Sequence, residues 1–174
     1  VYKRQELIRR LPKIEILYLA GIFHDLGKGK GGDHSKIGIK IFKKFALRSE
    51  MNTSDSFLIS WLVENHLFMS SVAQRMDVYD LKTVKNFTKT VDTVEKLDYL
   101  YLLTINDIRG TNEELWNSWK HNLLKQLYLS SRKILNKEIR IGDKSNINEK
   151  KNNLNTIFSE QNKKTKDILM QMPD

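Results

Sequence analysis

The 174-residue sequence predicts an all-α fold. Its two prolines, Pro12 and Pro173, stand near the two ends, so nothing between them need break a helix. Across that interval large apolar residues recur at three- and four-residue steps. No stretch of useful length alternates with the period of two that a half-buried strand shows, and no internal repeat is present.

Pro12 suits the start of "KIEILYLAGIFHDL". Ile14, Leu17 and Tyr18 share one face of this helix, and Leu19, Ile22 and Phe23 widen it, which predicts a central, buried element. "GKGKGG" ends it as a loop, with four glycines in six residues. Asp33 or Ser35 is placed to cap the next helix, through "KIGIKIFKKFAL". "NTSDSFLISWLVENHLFM" reads as a third helix, capped by Ser54, with Phe57, Leu58, Trp61 and Leu62 as its buried stripe. A shorter helix follows around "DLKTVKNFTKTV". "TVEKLDYLYLLTINDIRG" is another buried helix, ended by Gly110. "NEELWNSWKHNLLKQLYLSSRKIL" is long and amphipathic, with Leu115, Trp116, Trp119, Leu123 and Leu127 near one face. Beyond about Ile139 the chain turns rich in asparagine and lysine. The helical spacing of Leu154, Ile157, Phe158, Ile168 and Leu169 still predicts a last amphipathic helix. The expected organisation is one helical domain over 1–140, then a polar connector and helix over 141–174.

A chain of this length supports one domain with a real core. No apolar run approaches the roughly 20 residues that cross a bilayer. There is no cysteine, which excludes disulfides, zinc thiolates and cysteine nucleophiles and fits a reducing cytoplasm. The net charge of +9 admits an anionic partner. The lysines are scattered, however, with few aromatics among them, and a solvated basic surface is the better reading than nucleic-acid binding. The first residue is Val1, and the chain is expected to be a piece of a longer one.

The segment "FHDLGKGKGGDHSKIG", Phe23 to Gly38, concentrates two histidines and two carboxylates on one elbow. It is not a phosphate-binding P-loop. That motif needs four residues between its first glycine and the Gly-Lys pair, then Ser or Thr, and a preceding strand. Here five residues separate Gly21 from Gly27, Gly29 follows Lys28, and a helix precedes. A divalent metal fits better, since imidazole and carboxylate donors suit such ions. His24 and Asp25 lie about 100° apart around a helix and can flank one ion at its end. His34 returns after the loop on the first turn of the next helix. His66, near the end of the third helix, and Asp107, in an otherwise apolar helix where a lone carboxylate is costly, complete a set drawn from four helices. Each residue also has a plainer role. His24 and Asp25 can be a buried pair capping a helix end, His34 a helix-start residue, and His66 a satisfied core histidine. Asp107 can pair with Arg109 or Lys28, and Asp33 can be only a cap. His121 belongs to no ligand pattern and reads as surface, Trp116 and Trp119 as core, and Arg109 as structural.

"HDLGK" with the remote Asp107 resembles the HD-domain metal-dependent phosphohydrolases. "WLVENHLFMS", "LDYLYLLTINDIRGT" and "LWNSWKHNLLKQLY" are similar to the HD domain of the bifunctional uridylyltransferase/uridylyl-removing enzyme family, over roughly residues 11 to 136. The resemblance implies an HD-domain helical bundle with its metal site between helices. It implies His24, Asp25, His34, His66 and Asp107 as ligands, with Asp25 able to bridge two ions. Asp25 and Lys28 would be catalytic, with Lys28 on the substrate phosphate or, in the plainer reading, in a salt bridge. The cofactor would be one or two divalent ions, Mn²⁺ or Mg²⁺ first, with iron or another transition metal as alternatives. The implied reaction hydrolyses the phosphodiester joining UMP to a tyrosine of the nitrogen-regulatory protein PII. Glutamine would act through domains absent here, and no nucleotidyltransferase signature is present. Enzymes of this type usually take one more histidine upstream of the dyad; none precedes His24, so the chain is expected to start downstream of it. The alternatives are a nucleotide or cyclic-nucleotide phosphohydrolase, and a non-catalytic module that binds PII or a nucleotide.

Overall fold

Helix α7 (Val94–Thr111) runs through the core, with every residue from Leu97 to Ile105 buried. The computed structural model describes residues 4–111 and 116–137. Ahead of α7 run α1 (Arg4–Ile8), α2 (Ile14–Phe23), α3 (His34–Arg48), α4 (Thr53–Asn65), α5 (Phe68–Arg75) and α6 (Leu81–Val91). A final helix, α8, covers 118–137. The described residues contain no strand, in agreement with the all-α expectation. The helix expected at 154–169 and Leu115 lie outside them.

α2 packs on α3, α4 and α7, burying Ile16, Leu17, Ala20 and Phe23. Its start is tied to α7 by Tyr99, whose hydroxyl donates to the Lys13 carbonyl at 2.7 Å and accepts from the Lys13 amide at 3.2 Å. The helix is central as expected, but Tyr18, expected on its buried face, is 64% exposed and Ile22 57%, because the three neighbours cover only one side.

α3 starts as expected at Asp33, whose carboxylate accepts from the amides of Ser35 and Lys36. α4 is capped not by Ser54 but by Asn52, which is still extended and accepts from the Asp55 amide at 2.8 Å. Its buried stripe is Leu58, Ile59, Leu62 and Val63. Phe57 is mostly exposed and Trp61 half-buried. The Lys96 ammonium sits 5.0 Å from the Trp61 ring centre and 5.8 Å from that of Phe57, a cation–π arrangement that shelters both. The predicted third helix also breaks: α4 ends at Asn65, and α5 begins separately at Phe68.

α8 buries Leu124, Leu127, Tyr128, Ser131 and Leu135, while Trp119 is exposed. Of the predicted stripe Leu127 is buried and Trp116 and Leu123 pack against the core, while Trp119 turns outward. A buried polar pin fastens α8 to α7. The Tyr128 hydroxyl donates to Asp98 at 2.7 Å, Arg132 donates to the same carboxylate at 2.8 Å, and the Tyr128 ring stacks on Tyr101. Burial pushes the Asp98 carboxyl up, while Tyr128 and Arg132 pull it down.

Two glycines set the spacing of α2, α3 and α4. A Cβ on Gly38 would lie 2.7 Å from the Phe23 carbonyl oxygen and 3.2 Å from a Val63 methyl, and one on Gly27 would lie 2.1 Å from the His34 carbonyl oxygen. Gly38→Ala is therefore expected to destabilise the chain by about 1–3 kcal/mol through overpacking. Gly21→Ala, where a Cβ would meet nothing within 4 Å, should stabilise it by about 0.5–1 kcal/mol. Urea denaturation of the two variants beside wild type checks the opposite signs.

Candidate metal centre

Three helices end, and one begins, around the same point. α2 stops at Phe23 with His24 as its C-cap, and α4 stops at Asn65 with His66 as its C-cap. Asp107 lies in the last turns of α7, and His34 is the first residue of α3. Carbonyls at helix C-termini carry partial negative charge, so three of these ends favour a cation between them.

The two capping histidines are oriented alike. The His24 Nδ1–H donates to the Gly21 carbonyl at 2.8 Å, and the His66 Nδ1–H donates to the Val63 carbonyl at 2.8 Å. The carbonyl partners fix the tautomers and turn both Nε2 atoms inward. His24 Nε2 lies 3.2 Å from Asp25 Oδ2 and 3.4 Å from Asp107 Oδ1. His66 Nε2 lies 3.4 Å from His34 Nε2. The His66 ring is 5.1 Å from that of His24 and 5.3 Å from that of His34, centre to centre. One donor atom from each of His24, Asp25 and Asp107 falls within 4.8 Å of the others, and the same holds for Asp25, His34 and His66. Asp25 belongs to both groups.

The charges are unevenly held. The hydrogen bond to Asp107 raises the His24 pKa and holds that of Asp107 below the ordinary carboxylate value. Burial lowers the His66 pKa, which favours its neutral ring. Lys28, at the exposed rim, donates to Asp25 Oδ2 at 2.6 Å, and this contact raises its pKa.

The residues present fit a divalent ion. Asp25 Oδ1 is buried without a hydrogen-bond partner, a state that costs about 1–3 kcal/mol in a protein interior. Two imidazole nitrogens face each other, His66 presenting a lone pair, and a third nitrogen faces two carboxylate oxygens. Nitrogen and oxygen donors without sulfur suit a first-row divalent metal.

The five residues singled out in the sequence as ligands all converge here, and Lys28 sits beside them. Asp33 is the α3 cap, Arg109 is exposed, and His121 packs against Trp116, outside both groups. Asp107 pairs with His24 rather than Arg109, and the Thr111 hydroxyl donates to its backbone oxygen. The orienting carbonyls of Gly21 and Val63 were not foreseen. Each stands three residues before its histidine, at a helix end where carbonyls lack helical partners, and placing the end of α4 beyond His66 hid that signal.

The HD domain family matches residues 5–103. Over 130 residues, covering 75% of this chain, the sequence is 51% identical to the bifunctional uridylyltransferase/uridylyl-removing enzyme of Pseudoalteromonas translucida, of which it covers 15%. It is 49% identical over 140 residues to the enzyme of the same name from Legionella pneumophila strain Lens, covering 80% of this chain and 16% of that protein. The chain thus spans about a sixth of the length of these curated relatives. No solved structure matches it significantly.

Because His24 holds its proton above the usual histidine value, a metal must displace that proton, and affinity should rise with pH. Calorimetric titration with Mn²⁺ is expected to show tighter binding, by about tenfold per unit for each proton released, between about pH 6 and pH 8. Buffers of different ionisation enthalpy should reveal the proton release. A pH-independent affinity would contradict the proposed displacement.

Proposed function

The chain belongs to the HD-domain family, whose members are metal-dependent phosphohydrolases, and we propose that its reaction is the removal of UMP from the uridylylated nitrogen-regulatory protein PII. The observation that carries this reading is the pair of donor groups sharing Asp25, in a chain about half identical to uridylyl-removing enzymes over 130 residues. In this reading His24, Asp25 and Asp107 hold one divalent ion, and Asp25, His34 and His66 hold a second. Bound there, such ions would supply Lewis acidity, enough to acidify a water molecule and offset the charge that develops on the phosphoryl oxygens.

The residues then divide the work. The Gly21 and Val63 carbonyls fix the imidazole rings, so the donor atoms need no reorganisation as substrate arrives. Asp25 belongs to both donor groups and holds Lys28 at the rim through Oδ2. Lys28, 57% exposed, can leave Asp25 for a phosphoryl oxygen, adding positive charge where it is needed in the transition state. Water is consumed, the phosphorus–phenolate oxygen bond breaks, and UMP and the free tyrosine result. A phenol of pKa about 10 leaves without a strong general acid.

Incubating uridylylated PII with the chain and Mn²⁺ should release UMP. Asp25→Ala should lower the rate by at least about a hundredfold, and Lys28→Ala by about ten- to a hundredfold, with the fold retained by circular dichroism. EDTA should abolish release and added Mn²⁺ restore it. Full release from the Asp25→Ala variant would overturn the site assignment. Mn²⁺ binding without UMP release would shift the reading to another phosphate ester.

A further inference from the structure

The outward face of α3 breaks two rules of helix electrostatics. Lys36, Lys40, Lys44 and Arg48 stand four residues apart, all exposed, with Lys43 beside them. Each step turns the side chain by about 40° and rises about 6 Å, so the cations form one gently winding row about 18 Å long. Like charges at this spacing repel and destabilise a helix. Lys36 also lies in the first turn, where the positive end of the helix dipole disfavours a cation, and that turn carries no acidic residue. Residues 28–48 hold seven lysines and arginines against the single acid Asp33. Among the described residues the row has one ion pair, Lys36 to Asp33 at 3.7 Å and open to solvent. Buried on its other side through Ser35, Gly38, Phe42 and Ala46, α3 packs on α2 and α4 and presents this row outward. The row starts two residues after His34.

Local rules are broken where function requires it. We propose that this face of α3 docks an acidic protein surface, the one surrounding the modified side chain of the substrate. The inference rests on the proposed hydrolysis of a protein-linked phosphodiester, and it assigns to α3 a role the metal centre does not supply. An acidic surface laid along the row relieves the repulsion among its cations and speeds encounter, while the chemistry stays at the helix ends. α6 offers a control, since Lys82, Lys85 and Lys89 are equally exposed on a helix that carries no donor residue.

The test compares the 174-residue chain with its K36E/K40E/K44E and K82E/K85E/K89E variants, each checked by circular dichroism. The Kd for uridylylated PII is measured at low and high salt, alongside hydrolysis of that protein and of bis(4-nitrophenyl) phosphate. The α3 variant is expected to weaken Kd and raise KM for the protein at least about tenfold and to flatten the salt dependence. Its rate on the small diester should match wild type, and the α6 variant should behave as wild type throughout. The neutral K36Q/K40Q/K44Q variant should fall between. Equal Kd values for the α3 and α6 variants would overturn the proposal, as would a DNA duplex that binds the row more tightly than the protein does. If wild type hydrolyses neither substrate, the hydrolase reading falls, and the Kd comparison alone still decides the docking face.

Discussion

Helix α3 comes so close to the end of α2 that neither Gly27 nor Gly38 has room for a methyl group, and the arrangement of the donor residues follows from that approach. Gly38 lies against the Phe23 carbonyl and the Val63 side chain at once, which brings the ends of α2 and α4 to the same depth on α3. Gly27 lies on the backbone of His34 and seats the first turn of α3 against the corner that carries Asp25. α7, buried along most of its length, then delivers Asp107 from below. A Gly in a helix interior costs stability relative to Ala, and here that cost is offset by the closeness it permits.

The electrostatics of the corner are the reverse of the molecule's. The chain carries a net +9, yet three helix C-termini and two carboxylates converge at one point. The chain's own cations answer this only in part. His24 Nε2 lies between Asp107 and Asp25, which raise its pKa, and Lys28 covers Asp25 Oδ2 from the rim, while Asp25 Oδ1 is left without a partner. A corner built this way is one that a bound cation would stabilise.

Much of this was legible in the sequence. The elbow at His24 and Asp25, the return of His34 and the isolated carboxylate of Asp107 are chemically conspicuous in helices of otherwise apolar or basic character. What escaped was whatever depends on neighbours. Ser54 and Asn52 are equally good caps by residue type, and only the extended backbone at Asn52 decides between them. Phe57 and Trp61 look like core because they are large and apolar; Lys96 on the facing helix makes their partial exposure tolerable, and no local pattern reveals it. Tyr18 and Ile22 extend an apolar helix on a side the described neighbours do not cover. Asp98 gives no local signal, because its partners Tyr128 and Arg132 lie thirty or more residues away.

The central claim is that Asp25 is shared between two cation sites. Crystals of the chain grown with Mn²⁺ and measured at the manganese absorption edge test it most directly. Anomalous peaks are expected among His24, Asp25 and Asp107 and among Asp25, His34 and His66, with Asp25 contacting both. Ordered crystals with no anomalous peak at these residues, or with manganese bound elsewhere, would contradict it.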